Sequence, residues 1–214
     1  MQKIRILFEK KDTAKYISHL DLVRIVTRAI KRAEIPIVYS NGFNPTPKLN
    51  FTLPLSLGQE SVCEIMNFKV EPEMDTNEIK ARLEKQLPDG IIIKDVYVPA
   101  ENSDDFYYAS YKITLDKSIG VSSVNDCFSR DSIVLVKRTK SGEKETDIKP
   151  FVIKLDAKSE DEHTIIECIL NSKDPNFLNP EYIVKAYTEY IGKDIGDYSI
   201  LRTEILTEKL KIYR

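Results

Sequence analysis

The chain has 214 residues, of which 42% are hydrophobic and 31% are charged, and its formal net charge is −2. This composition is typical of a globular protein and excludes a disordered or membrane-embedded chain. No apolar run approaches the roughly 20 residues that a membrane helix needs, and the first residues alternate like a strand, so we predict a cytoplasmic protein without membrane contacts.

Cysteine, histidine and glycine usage limits the possible chemistry. Three cysteines lie far apart along the chain, which argues against a disulfide framework and against a thiolate metal cluster. The two histidines, His19 and His163, lack metal-ligand spacing, and no phosphate-binding glycine motif occurs. We therefore predict no metal and no cofactor, and the chemistry favours a binding protein over a self-sufficient enzyme.

Charge is distributed unevenly along the chain. Residues 1–60 contain ten Lys and Arg against five Asp and Glu, whereas residues 61–110 contain five basic and eleven acidic residues. Such asymmetry can direct one basic face at a polyanion. On charge alone, two solvated faces of opposite sign explain the pattern at least as well.

The first half of the chain predicts strands and helices in alternation. Residues 4–8 alternate as a half-buried strand, and Ser18 can cap a helix over residues 19–33 that Pro36 ends. Further elements are predicted as strands at 37–39, 49–55 and 62–70, a helix from Asp75 or Thr76 through Leu87, and a strand at 91–98.

The second half repeats this order. Its predicted elements are strands at 107–115, 132–138, 147–155, 163–170 and 198–206, helices at 121–129 and 180–191, and a turn at Ser141-Gly142. Two βαββαβ patterns in series predict an α+β protein of two tandem ferredoxin-like domains, at residues 1–99 and 107–214. The polar segment 99–106 between them is the predicted linker.

The helix predicted over residues 19–33 has one basic face. Arg24, Arg28, Lys31 and Arg32 fall together on a helical wheel, opposite the apolar side. Like charges at i and i+4 repel by roughly a few tenths of a kcal/mol, so the cluster is unfavourable for the helix itself and indicates an anionic partner. The alternative is a solvated helix face that Asp21 partly neutralises.

The segment 41–48 is the predicted functional centre. It combines a permissive glycine, two stiffening prolines, an aromatic ring and polar side chains. Because cations attract phosphate while rings stack on bases, this composition suits RNA binding next to the basic helix. The alternative is a structural turn with Phe43 in the core. The predicted binding residues here are Asn41, Gly42, Phe43, Asn44 and Lys48.

His19 is the one candidate for a catalytic residue. It stands near the N-terminus of the predicted helix, where the helix dipole disfavours the imidazolium form and leaves a neutral base. The alternative is a histidine with only a structural role in the capping region.

The same residues resemble a known family. The run from Ser18 to Glu64, with Ser40-Asn41-Gly42-Phe43-Asn44-Pro45 at its centre, is similar to the bacterial radical-SAM-linked protein family, a domain of unknown function found beside or fused to radical S-adenosylmethionine proteins. The match is dense over residues 4–70, and Thr146-Asp147-Ile148-Lys149-Pro150 resembles a second family signature. Thr46 stands where many members have a histidine, which weakens a catalytic or metal role for this segment. The resemblance implies a radical-enzyme partner and RNA as a shared target.

Three functions are therefore open. The first is an RNA-binding accessory protein that partners a radical S-adenosylmethionine enzyme in RNA modification or processing, with structured RNA as its target. The second is a metal-independent RNA-cleaving enzyme of the tandem ferredoxin-like type that uses His19. The third is a protein–protein adaptor that does not bind nucleic acid.

Overall fold

The chain folds as an α+β protein with two compact units. The computed structural model describes residues 1–100, 105–116, 119–139 and 142–214, and these ranges contain ten β-strands and four α-helices. The N-terminal unit comprises Met1–Asp105 with Arg214, and the C-terminal unit comprises Phe106–Tyr213. No helix among the described residues is long and apolar enough to cross a membrane.

The N-terminal unit is an antiparallel sheet with two helices. Its elements are β1 (Gln2–Lys10), α1 (His19–Arg32), β2 (Leu49–Phe51), β3 (Glu60–Val70), α2 (Thr76–Glu84) and β4 (Ile91–Tyr97). The strands stand in the order β4-β1-β3-β2, so β3 lies between β1 and β2.

The core of this unit lies between the two helices and one face of the sheet. Ile4, Ile6 and Phe8 of β1 are buried there with the apolar sides of α1 and α2. Since side chains alternate along a strand, Lys3 and Arg5 belong to the opposite face. The predicted first helix is confirmed, and Ser18 caps it, because Ser18 Oγ accepts the Asp21 amide at 3.2 Å.

The C-terminal unit has the same strand order with one added hairpin. Its elements are β5 (Tyr108–Asp116), α3 (Val121–Phe128), β6 (Val134–Thr139), β7 (Gly142–Asp147), β8 (Val152–Glu160), β9 (His163–Asn171), α4 (Glu181–Ile191) and β10 (Tyr198–Leu206). Its main sheet is antiparallel in the order β10-β5-β9-β8, and β6 pairs with β7 separately.

Prolines account for three places where the structure departs from the sequence prediction. The strand predicted at 37–39 forms only isolated bridges, from Ile37 to Val70 and from Tyr39 to Pro47, because Pro36 and Pro47 have no amide to extend a ladder. Strand β2 stops well before the predicted Leu55, ahead of Pro54. The predicted strand 147–155 is likewise interrupted by a short 3₁₀ helix, Lys149–Phe151, at Pro150.

Other predicted boundaries differ by a few residues or fall where the chain is not described. Helix α2 ends at Glu84 instead of Leu87, although Asp75 caps it as predicted by accepting the Asn77 amide at 3.0 Å. Residues 101–104 of the predicted linker and Ser141 of the predicted turn lie outside the described residues.

Candidate nucleic-acid interface

The loop from Ser40 to Lys48, called here the Phe43 loop, is closed at its base. The Ser40 amide donates to the Thr46 carbonyl at 2.8 Å, and the Thr46 amide donates to Ser40 Oγ at 3.0 Å. Below this neck the Lys48 amide donates to the Val38 carbonyl at 2.9 Å. These bonds fix the two ends of the loop to each other, so its tip is short and constrained.

The ring at the tip of this loop faces solvent. Phe43 has a relative exposure of 106%, whereas Phe51 at the end of β2 has 7%. The alternative that Phe43 fills the core is therefore wrong. Asn41, Gly42 and Asn44 are exposed around it, and Gly42 adopts a φ of +132° that few side chains tolerate.

A cavity of about 340 Å³ opens beside the base of the Phe43 loop, in the N-terminal unit. Its lining includes four cationic side chains, and no acidic residue lines it among the residues that the structure describes. Val38 and Lys48 take part both in this lining and in the base of the loop. We call this cavity the cationic pocket and define it by Lys3, Arg5, Lys48, Asn50, Asn67 and Lys69.

Arg5 forms the floor of the cationic pocket. It is 1% exposed, and its Nε–H donates to Asn67 Oδ1 at 2.7 Å across the β1–β3 ladder. Asn67 Nδ2 in turn donates to Thr52 Oγ1 at 3.0 Å. This chain of hydrogen bonds holds the guanidinium in one orientation, so a fixed positive charge lies under the pocket.

Lysines surround the mouth of the cationic pocket. Lys3 of β1 and Lys69 of β3 are direct partners in the antiparallel ladder, and both are exposed. Neither ammonium forms an ion pair with a residue in the described part of the chain. Like charges directly opposite each other destabilise a sheet, so this arrangement is unfavourable to the protein alone and favourable to a bound anion.

Tyr97 of β4 lies opposite Arg5 on the other side of β1. Burial raises the pKa of its hydroxyl, although the positive charges of Arg5 and Arg214 act in the opposite direction. The phenol is therefore neutral at physiological pH and does not offset the charge of the guanidinium.

The basic face of α1 lies away from the cationic pocket. The apolar side of α1 packs on the sheet face that carries Ile4 and Ile6, opposite to the pocket, and its four cations are exposed. Arg24 pairs with Asp21 at 2.9 Å, while Arg32 donates to the side chain and carbonyl of Gln86. Arg28 and Lys31 have no side-chain partner among the described residues, so they are the cations of this face that solvent surrounds.

His19 lies on the helix-covered side of the unit. Its ring packs edge-on against Phe51, with 5.4 Å between the ring centroids. No side-chain hydrogen bond or ion pair joins it to another described residue. The structure therefore does not bring His19 together with the cations of the pocket.

The comparison with known families matches residues 3–180 to "Uncharacterized protein conserved in bacteria (DUF2344)". The chain belongs to this family. The matched range contains the whole cationic pocket and the whole Phe43 loop, and it ends just before α4. No curated protein shows significant sequence similarity to this DUF2344 chain.

Three solved structures show distant likenesses to this DUF2344 chain. An "Unknown Protein from Galdieria sulphuraria" has 14% identity and a TM-score of 0.29, over 94% of this chain and 98% of its own. A candidate glycine cleavage system transcriptional repressor has 13% identity and a TM-score of 0.27, over 97% and 98%. DyPB from Rhodococcus jostii RHA1 has 9% identity and a TM-score of 0.24, over 87% and 82%. Scores this low carry no argument about fold or function.

The segment Thr146–Pro150, also within the DUF2344 match, closes the β6–β7 hairpin. Asp147 Oδ1 accepts the Ile133 amide at 2.9 Å and the Lys149 amide at 3.0 Å, and the Ile148 amide donates to the Ile133 carbonyl at 2.9 Å. The hydrogen bond from Ile133, followed by that from Lys149, lowers the pKa of the Asp147 carboxyl. These hydrogen bonds give the segment a structural role at the base of the hairpin.

The sequence patterns pointed to the Phe43 loop but not to most of the residues that line the cationic pocket. In the sequence, Lys3 and Arg5 are recognisable only as polar residues of an alternating strand. Lys69 lies more than 60 residues from both of them. The available signal was that Lys3 and Arg5 occupy alternate positions at the start of β1. Strand pairing brings these distant residues together, and periodicity does not predict the partner strand.

Proposed function

We propose that this chain binds single-stranded segments of structured RNA through the cationic pocket and the Phe43 loop. We propose further that it acts as an accessory partner of a radical S-adenosylmethionine enzyme in RNA modification or processing. In this proposal the chain binds the RNA and the radical enzyme catalyses the modification or processing reaction. Among the described residues, no group of three or more His, Cys, Asp or Glu is placed to hold a metal ion.

The observation that carries the proposal is a solvent-exposed ring on the same loop whose base lines a pocket with four cations. Proteins that bind single strands combine positive charge, which attracts the backbone, with aromatic rings on which bases stack. Asn50, which is exposed in the lining, adds an amide that can both donate and accept hydrogen bonds. An adaptor surface would not require the charge and the ring together.

The ferredoxin-like fold is part of the proposal. It is supported by the strand orders: β3 lies between β1 and β2, β9 lies between β5 and β8, and each unit contains a βαββαβ series. RNA-recognition modules also present a four-stranded sheet to bases. That likeness is an analogy at the level of the fold, so the argument for RNA rests on the pocket and the loop.

The radical-enzyme partner rests on the sequence resemblance over residues 4–70. Its test is affinity capture with the tagged chain from a lysate of a host that contains the enzyme, with and without ribonuclease. We expect a radical S-adenosylmethionine protein among the captured proteins. Its absence from both samples would contradict this part of the proposal and leave RNA binding to be judged by the next experiment.

RNA binding is tested by fluorescence anisotropy with a labelled single-stranded RNA at several salt concentrations. Three exposed lysines in contact with phosphates give an expected slope of roughly −2 in log affinity against log salt, from about −0.7 for each single-strand phosphate. The variant with Asn41→Ala, Phe43→Leu and Asn44→Ala should lose most of the affinity and keep its unfolding transition, because all three side chains are exposed.

The same assay distinguishes the other functions. Reversing the charge of Arg28 and Lys31 in α1 should weaken binding less than reversing Lys3 and Lys69, because only the latter pair lines the pocket. The RNA should remain intact after incubation; cleavage that His19→Ala abolishes would favour the enzyme. Absence of salt-dependent RNA binding would contradict the proposal and favour a protein adaptor.

A further inference from the structure

We infer that the cationic pocket prefers a phosphomonoester, the terminal phosphate of an RNA chain, over an internal phosphodiester of the backbone. This inference rests on the proposed RNA-binding function and specifies which part of the RNA enters the pocket. The ligand chemistry is a dianionic phosphate on one nucleotide, and the 5′ and 3′ ends of the chain are its two possible sources.

Charge is the first argument. Lys3, Arg5, Lys48 and Lys69 place four positive charges around one cavity, without an acidic residue in its described lining. An internal phosphodiester carries one negative charge, whereas a phosphomonoester carries about −1.5 to −2 at pH 7. The more highly charged group gains more from such a cluster, and the buried, fixed guanidinium of Arg5 strengthens that difference because water screens it less.

Size is the second argument. The pocket encloses about 340 Å³, which is at the lower end of the range for small-molecule sites, roughly 300 to 1,000 Å³. This volume suits one nucleotide, not a run of several. A site that follows the backbone would instead be a long groove with cations spaced along it.

The C-terminal unit provides an internal comparison. At the equivalent place in its sheet, on β5, β9 and β8, a cavity of about 270 Å³ is lined by Lys112 and Lys154 together with Asp156 and Glu167. Charges of both signs balance there, so this cavity has no net attraction for a phosphate. The excess of cations is therefore a property of the N-terminal pocket and not of the shared strand order.

The test uses the full chain and one RNA sequence in three forms, with a 5′-phosphate, with a 3′-phosphate, or with hydroxyls at both ends. We expect one phosphorylated form to bind about tenfold more tightly than the hydroxyl form, an effect on the scale of a charge-assisted hydrogen bond. The preferred form identifies the end. The preference should shrink as pH falls from about 7.5 to about 5.5, because a phosphomonoester loses its second charge near pH 6.

Variants connect this preference to the pocket. Lys3→Gln with Lys69→Gln should weaken binding of the preferred phosphorylated form more than binding of the hydroxyl form, so the preference should fall from about tenfold to near one. The matched pair Lys112→Gln with Lys154→Gln, in the balanced cavity, should leave the preference unchanged. Melting curves of each variant check that it remains folded. Lys69→Gln alone is a second variant, for which we expect a smaller loss of the preference.

The outcomes separate this inference from the proposed function. Equal affinity for all three RNA forms would overturn the phosphomonoester site and leave RNA binding standing. If no RNA form binds, the proposed function is wrong. Calorimetry with adenosine 5′-monophosphate and adenosine 3′-monophosphate then tests whether the pocket binds a phosphomonoester. Binding of either nucleotide that depends on Lys3 and Lys69 supports the site, and absence of such binding overturns it.

Discussion

Phe43 and Phe51 lie eight positions apart and have opposite surroundings. Phe51 packs against Phe8 and His19 at centroid distances of 6.1 and 5.4 Å, whereas the exposed fraction of Phe43 shows that the fold gains little from its ring. Composition alone left both possibilities open for Phe43. The structure decides between them, because the loop that the Ser40–Thr46 hydrogen bonds close carries Phe43 at its tip with the ring in solvent.

This difference gives a prediction about stability and binding. Phe43→Ala should change the free energy of unfolding by less than about 0.5 kcal/mol and weaken RNA binding by about 1–3 kcal/mol, the value of one base–aromatic stack. Phe51→Ala should destabilise the protein by about 3–5 kcal/mol, because it empties a buried ring site. Urea denaturation and anisotropy measure the two effects. A large loss of stability in Phe43→Ala would contradict the solvent-exposed position of the ring.

The Lys3–Lys69 pair gives a second prediction at the scale of single residues. Lys69→Gln should stabilise the protein without ligand by about 0.2–1 kcal/mol at low ionic strength, because it removes a like-charge pair from the ladder. Added salt should shrink the gain. Lys94→Gln is the matched control and should not stabilise, since Lys94 pairs with Glu9 at 3.2 Å. A loss of stability in Lys69→Gln would mean that its ammonium has a favourable role in the fold.

For individual helices and strands, the sequence was sufficient to predict the features that depend on residues close together in the chain. The Ser18 cap, the apolar side of α1 and strand β10 could be predicted because each depends on residues a few positions apart. The prediction of a strand at 37–39 was wrong because Pro36, which precedes the segment, and Pro47, which pairs with Tyr39, cannot extend a ladder. The β6–β7 hairpin was predicted in part, but its separation from the main sheet depends on contacts that periodicity does not encode.

Asp147 makes the hairpin sensitive to acid. Its folded-state pKa is lowered by the amides of Ile133 and Lys149, so its contribution to stability is present above the ordinary carboxyl value near 3.8 and is lost as pH falls below it. Asp147→Asn should therefore be less stable than the wild type at pH 7, and the difference should shrink at about pH 3. Denaturation at both pH values measures this. A difference that is equal at both would contradict a role for the ionised carboxylate.

At the level of the whole molecule, the sequence predicted the repeated order of elements, whereas the position of the proposed binding surface depends on the register of the sheet. Arg5 meets Asn67 and Lys3 meets Lys69 only because β1 pairs with β3. The basic face of α1 was the most visible charge pattern in the sequence, yet the helix packs on the opposite side of the sheet from the pocket. Pattern reasoning locates charge along the chain, and pairing decides which charges converge.

Photocrosslinking is the most direct test of the central claim, that RNA binds at the Phe43 loop and the adjoining pocket. The full chain is irradiated with a single-stranded RNA that contains 4-thiouridine, and the crosslinked peptide is identified by mass spectrometry. We expect the crosslinks to concentrate in residues 41–48 and Phe43→Ala to reduce them. Crosslinks confined to α1 or to the C-terminal unit, or RNA binding without any crosslink to the loop, would contradict binding at this site.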